Sequence, residues 1–199
     1  MSRASEMEKR KIQIIDAAMD VLYEQGFCDL KISEVARRAG VSAGLVCHHF
    51  ETKRGLLLAV MRQAVDAYQN QSEKVALAHP DLPDRTLALV QMALSPEQVN
   101  PRLSSAWLAL YYLAASDPEY HAELVRYQNY NHSNILAALT EVFDPDDAKQ
   151  KAHLISALID GVWLQNAARC ETVDIEVAQK LAVNLTKNVF LEKMAPLQS

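Results

Sequence analysis

Cysteine is scarce in this chain. Cys28, Cys47 and Cys170 are its only three, and their wide spacing suggests neither a disulfide framework nor a clustered zinc site. Three reduced thiols in a cytoplasmic protein are expected, and spacing alone assigns no redox role to Cys47 or Cys170. Glycine is nearly as rare, with five residues, four of them within the first 55. No Gly-rich phosphate loop can be built from them. No apolar run reaches the ~18 residues of a membrane span, and the opening MSRASEMEKRK lacks the apolar core of a secretory signal. No HExxH or similar ligand spacing occurs, and His48 and His49, being adjacent, diverge on a helix. Ser, Cys and Asp form no nucleophile constellation. No catalysis, metal or cofactor is therefore expected. Alternating β patterns are absent too, which leaves an all-α fold.

Positive charge is also in short supply, the net charge being −5 at pH 7. Its distribution matters more than its sum. Residues 1–62 hold ten Lys/Arg against eight Asp/Glu, whereas residues 63–199 hold ten against seventeen. A mildly basic head on an acidic body would turn the head toward phosphates.

Within that head lies ISEVARRAGVSAGLVCHHFETK, residues 32–53. Ile32, Val35, Ala36 and Ala39 share one helical face, leaving Ser33, Glu34, Arg37 and Arg38 outside. Gly40 suits the left-handed residue that ends a helix, and Ser42 caps a new one. In that second helix Leu45, Val46, His49 and Phe50 face one side; Ala43, Gly44, Cys47 and His48 face the other. This is a helix-turn-helix pattern, whose second helix enters the DNA major groove. Ala43 is placed to touch a thymine methyl, and His48 is the better polar contact. The reading face lacks the Arg, Asn or Gln of bidentate base contacts, so DNA shape and backbone contacts gain weight. Lys11, with Lys9 and Arg10, reads as a phosphate or minor-groove arm, and Lys53 as a phosphate clamp in the first turn of the next helix.

The run Ala36-Arg37-Arg38-Ala39-Gly40-Val41-Ser42-Ala43-Gly44, followed by His49-Phe50 and Lys53, resembles the N-terminal domain of TetR-type transcriptional repressors. The likeness extends from about Glu6 to Leu58. The family usually carries a Tyr near the end of the reading helix, where this chain has Cys47 and His48.

The expected architecture has about nine helices. The first runs to about Gln25, with Ile12, Ile15, Met19 and Leu22 inward; Gly26 stops it and Phe27 docks beneath the reading helices. A helix-turn-helix domain, 1–55, is joined by a long helix, Thr52 to about His79, to a helical domain, 56–199, for effector binding and dimerisation. All seven prolines lie beyond residue 79, several just inside helix starts. Expected segments are 84–94, 101–116, 117–143 and 144–170, then a last helix from Asp174 to Met194.

On the last two helices, Leu158 and Val162 form one apolar stripe and Leu181 and Leu185 another. Such a pair is either internal core or half of a four-helix bundle with a two-fold mate; TetR-like proteins use it in the second way, and reading a palindrome requires a homodimer.

AWLAL (106–110) and ALIDGVWL (157–164) resemble the C-terminal domain of the choline-responsive repressors of glycine betaine synthesis. Trp107 and Tyr111 are four apart on one helix; Asp160 and Trp163 are three apart on another. They read either as core with one satisfied carboxylate, or as a pocket whose ring faces and carboxylate hold a cation. Tyr127 and Tyr130 are further candidates. The expectation is a cytoplasmic homodimeric repressor that binds double-stranded operator DNA and a small-molecule effector, choline or a related quaternary ammonium compound. Two alternatives stay open: the same fold with a neutral hydrophobic ligand, or a helical interaction protein without operator binding.

Overall fold

The chain is seen here in a computed structural model that describes residues 3–168 and 174–191. Cys170 and residues 192–194, the expected end of the last helix, lie outside the described residues, as do the side chains of residues 3 and 4. Nine helices make up the described fold, in the order α1 Arg3–Asp29, α2 Ile32–Ala39, α3 Ala43–Phe50, α4 Lys53–Ala78, α5 Leu82–Ala93, α6 Pro101–Ala114, α7 Pro118–Leu139, α8 Pro145–Ala167 and α9 Ile175–Leu191. Among the described residues no helix is long and apolar enough to cross a membrane.

Helix starts follow their caps. Asp81, Asn100, Asp117 and Asp144 each accept a hydrogen bond from a backbone N–H in the first turn of α5, α6, α7 and α8, and each of those helices has Pro at its first or second position. Asp174 does the same for α9 through the N–H groups of Glu176 and Val177. α5 begins at Leu82, earlier than the expected start at Asp84, because Asp81 supplies the cap.

The first helical run of α1 ends at Gly26, as expected. The chain kinks there, at φ 78° and ψ 167°, and resumes helix to Asp29, a conformation that only glycine takes without cost. Its inward face holds Ile15, Met19 and Leu22 as expected, but not Ile12. Ile14, Ile15, Ala18, Val21 and Leu22 are buried, but Ile12 is 45% exposed. Phe27 packs its ring against Tyr112 of α6, centroids 4.9 Å apart, and so docks on the body rather than beneath the reading helices.

The buried apolar residues form one cluster that runs from Ile14 to Phe190. α4 belongs to both ends of it. Its first turn clamps α7: Arg54 Nε and Nη2 donate to the two carboxylate oxygens of Asp117, at 2.6 and 2.8 Å, and Nη1 donates to Glu119. Tyr120 returns a hydrogen bond to the Arg54 carbonyl at 3.0 Å. α6 grips α1 in turn. Arg102 donates to Asp20 Oδ1 at 2.5 Å and to the Asp16 carbonyl at 2.8 Å.

Candidate functional site

Gly40 closes α2 at φ 64° and ψ 34°, and the Ser42 hydroxyl caps α3 by accepting from Leu45 N–H at 3.1 Å. α3 packs on α2 and α4, with Val46 and Phe50 buried, Leu45 and His49 half-buried, and Ala43, Gly44, Cys47 and His48 exposed. The inward and outward sides of α3 are therefore those read from the sequence.

Ser33 and Arg37 are exposed on α2. Arg37 is occupied: its Nε and Nη2 donate to the carboxylate of Glu34 at 2.9 and 2.5 Å, holding that carboxyl below its ordinary range. A phosphate contact from Arg37 must use its remaining N–H donors, on Nη1 and Nη2, or displace Glu34. Lys11 is half-buried on α1, and two residues on, the Gln13 amide donates to the Ala39 carbonyl at 2.8 Å.

Lys53 is half-buried, and its Nζ donates to the Cys28 carbonyl at 2.7 Å. That bond ties the ammonium to the end of α1 and still leaves it two donors. Lys53→Ala is expected to weaken binding to all DNA sequences alike and to flatten the slope of log affinity against log salt by about one unit. Salt titrations of operator and random DNA check this. A loss confined to one sequence, with the slope unchanged, would count against a phosphate contact.

The second site lies in the body, where α4, α6, α7 and α8 meet. Trp107 and Trp163 stack with centroids 4.9 Å apart and planes at 24°. Tyr127 lies 4.6 Å from Trp107, and Tyr68 meets Tyr127 edge-on at 5.2 Å. All four rings are nearly fully buried. Trp163 Nε1 donates to the Ala93 carbonyl at 2.9 Å, whereas Trp107 Nε1 is buried without an acceptor. Such an orphan donor ordinarily costs stability.

At the edge of this cluster sits the Asp160 carboxylate. Tyr111 donates to its Oδ2 at 2.6 Å and Tyr127 to its Oδ1 at 2.9 Å. Burial pushes Asp160 above the ordinary Asp range, opposed by the two tyrosine hydrogen bonds and the nearby His153. Both tyrosines are themselves pushed up, by burial and by the charge of Asp160, and so remain protonated donors.

Two cavities flank Asp160. One, about 370 Å³, opens between α6 and α8 and is lined by Trp107, Tyr111, Asp160, Trp163 and the small Ser104 and Gly161. The other, about 300 Å³, lies between α7 and α8 and is lined by Asn131, His132, His153, Ser156 and, again, Tyr127 and Asp160. Trp107, Tyr111, Tyr127, Asp160 and Trp163 are thus brought together. Tyr130 is half-buried and lines neither cavity.

The sequence reading missed Tyr68, which reaches the cluster from α4 and donates to Asn131 at 3.1 Å. It also missed the polar residues of the α7–α8 cavity. Tyr127 and Asn131, four apart on α7, share a face, and that spacing was the available signal.

α8 and α9 present an apolar outer surface. Leu154 is 68% exposed, Leu181 57% and Leu185 54%, with Leu158 half-buried beside them. Val162 does not belong to that surface: it is buried in the core. The outer line of α8 passes through Leu154, Leu158 and Gly161, and one residue further on the helix has turned inward.

Residues 14–60 match the family model described as bacterial regulatory proteins, tetR family, and residues 83–190 match the one described as BetI-type transcriptional repressor, C-terminal. The HTH-type transcriptional regulator BetI of Burkholderia ambifaria (strain MC40-6) is 33% identical over 187 residues, covering 92% of this chain and 94% of the relative. That of Rhizobium meliloti (strain 1021) is 31% identical over 172 residues, covering 86% and 85%. A transcriptional regulator from Rhodococcus sp. Rha1 has the same fold, with a TM-score of 0.79 at 24% identity over 92% of this chain and 96% of its own. So has a protein from Saccharomonospora viridis solved in complex with choline, with a TM-score of 0.75 at 21% identity over 93% and 96%. The chain belongs to the TetR family of transcriptional regulators and carries a BetI-type repressor domain at its C-terminal end.

Proposed function

We propose that this repressor responds to a quaternary ammonium compound such as choline, held between α6 and α8. The observation that carries this reading is the 370 Å³ cavity whose walls bring Trp107, Tyr111 and Trp163 together with Asp160. A quaternary ammonium offers no N–H, so a site for it relies on aromatic faces and diffuse negative charge. Each cation–π contact contributes about 0.5–2 kcal/mol. Three of them with one carboxylate reach a Kd in the micromolar to millimolar range, roughly −4 to −8 kcal/mol. The choline held by the Saccharomonospora viridis protein of the same fold supports the same chemistry.

Two copies would associate through the outer faces of α8 and α9, Leu154, Leu158, Leu181 and Leu185, burying leucines that are otherwise in water. Each copy would present Ala43, Gly44, Cys47 and His48 of α3 to a major groove, with half-sites about 34–36 Å apart. α6 links pocket to head. It carries Trp107 and Tyr111 in the pocket, Arg102 on Asp16 and Asp20 of α1, and Tyr112 on Phe27. A ligand that shifts α6 therefore shifts α1 and the reading helices packed on it.

Calorimetry with choline on the wild type, Trp107→Ala and Asp160→Asn tests this. Wild type is expected to give a millimolar or tighter Kd, with each variant weaker by about tenfold or more. The pH dependence has a definite sign. Choline keeps its charge at all pH and favours ionised Asp160, whose folded-state pKa lies above the ordinary 3.8. Affinity should rise with pH through that raised pKa and fall below it, and Asp160→Asn should abolish the dependence. If choline gives no heat while apolar ligands raise the melting temperature, the pocket is for a neutral ligand.

A further inference from the structure

Asp160 belongs to the walls of two separate cavities of unlike chemistry. On the α6 side the wall is aromatic and holds both tryptophans. On the α7 side, in the cavity of about 300 Å³, no tryptophan is present; around Tyr127 stand amides, two histidines, a hydroxyl and the carboxylate. Among the described residues that wall carries no Lys or Arg, and Lys149 lines only the outer cleft.

The two carboxylate oxygens divide between the two sides. Oδ2 accepts from Tyr111 of α6 and Oδ1 from Tyr127 of α7, so each retains a further acceptor position. Ser156 lines the α7–α8 cavity one helical turn before Asp160, and its hydroxyl oxygen is buried with no hydrogen-bond partner. Such a hydroxyl costs stability until a group in the cavity meets it. His132 lines the same cavity from α7. Burial, His153 and Lys149 hold its pKa below the ordinary histidine value, so the imidazole is neutral and offers an acceptor nitrogen.

We propose that the α7–α8 cavity is a second binding site, for a small protonated amine that carries N–H groups, such as an amino alcohol or a short diamine. A primary ammonium has three donors, and this wall holds three acceptors for them: Asp160 Oδ1, the Ser156 hydroxyl and the His132 imidazole. A quaternary ammonium has no N–H to give and is better served by the tryptophans of the other cavity. N-methylation therefore decides which cavity a cation enters. Both cations draw on one carboxylate, so an amine in the α7–α8 cavity antagonises a quaternary ammonium in the aromatic one. The site does not depend on the quaternary-ammonium reading, although the two share Asp160.

Ethanolamine is the probe, because it differs from choline only in bearing N–H groups where choline bears methyls. Calorimetry on the full chain at about pH 8, above the ordinary histidine range, is expected to give a Kd in the millimolar range or tighter. Ser156→Ala should weaken ethanolamine about tenfold and leave choline unchanged. Its melting temperature should be no lower than that of the wild type, since the hydroxyl removed had no partner. His132→Phe should weaken ethanolamine by a similar factor. In the wild type, saturating ethanolamine should weaken choline by about fivefold or more. The proposal is overturned if ethanolamine gives no heat, if it binds undiminished to both variants, or if Ser156→Ala weakens choline as much as ethanolamine. If ethanolamine behaves as described and choline gives no heat, this site stands and the quaternary-ammonium reading falls alone.

Discussion

Leu181→Asp should leave the protomer folded and abolish operator binding. Leu181 is 57% exposed on α9 while Ala182, Thr186 and Phe190 carry the buried side of the same helix. An aspartate there meets water in the isolated protomer and costs it little. In a symmetric assembly across α8 and α9 it meets a dry apolar surface twice, once from each copy. An unpaired buried charge costs several kcal/mol, on the order of 3–5, enough to dissociate a dimer at micromolar concentration. Light scattering should report monomers with an unchanged helical spectrum, and a gel shift should report no specific complex. A folded variant that remains dimeric would remove α9 from the interface.

Gly55→Ala is expected to have the second largest effect, at the opposite end of the molecule. A Cβ at residue 55 would lie 2.2 Å from the Phe50 carbonyl oxygen and 3.3 Å from its carbon. Those are backbone atoms of the last turn of α3, so no side chain can swing away to make room. The junction is already constrained. Glu51 holds φ at 61°, unusual for a residue with a side chain, and the Thr52 hydroxyl accepts from the Gly55 N–H at 3.0 Å to start α4. Overpacking of this kind costs about 1–3 kcal/mol, or about 3–10 °C of melting temperature for a chain of this length. Operator affinity should fall further than stability does, because the strain is relieved by moving the reading helix. An unchanged melting temperature and operator affinity would show that the junction is looser than this geometry.

The two halves of the molecule were not equally legible in the sequence. Around the turn, local chemistry decides the structure. Gly40 has to be left-handed, Ser42 has an N–H to cap, and Leu45, Val46 and Phe50 are the large apolar residues on an otherwise small or polar helix. The same holds wherever Asp or Asn precedes Pro or lies just before it at a helix start. Long helices are different, because periodicity gives a stripe but not its edges. Ile12 continues the α1 stripe by spacing and yet lies beyond the point where α6 covers it. Val162 continues the α8 stripe and yet points inward, because the helix has rotated by one residue from the outer line of Leu158 and Gly161. Phe27 was assigned by its place beside the reading helices, whereas its partner, Tyr112, is 85 positions away in sequence.

The pocket was half legible for the same reason. Trp107 with Tyr111, and Asp160 with Trp163, are pairs within one helix, and their spacing shows. Tyr68 of α4 and Asn131 and His132 of α7 come from other helices and enter through tertiary packing. Nothing in a single sequence states which turn of α4 or α7 will face Asp160. Nor does spacing reveal that Asp160 is held by two tyrosine hydroxyls, from α6 and α7. Membership of a family of regulators accounts for the lack of any catalytic constellation in the sequence.

The central claim is that a cation held at Asp160 controls the reading helices through α6. Its most direct test is operator affinity measured with and without millimolar choline, on wild type and on Asp160→Asn. The wild-type affinity should change by about 5–150-fold, the usual span of coupling between sites. Asp160→Asn should bind the operator as the ligand-free wild type does and ignore choline. An operator affinity that choline leaves unchanged in the wild type, or changes equally in both proteins, would contradict the account.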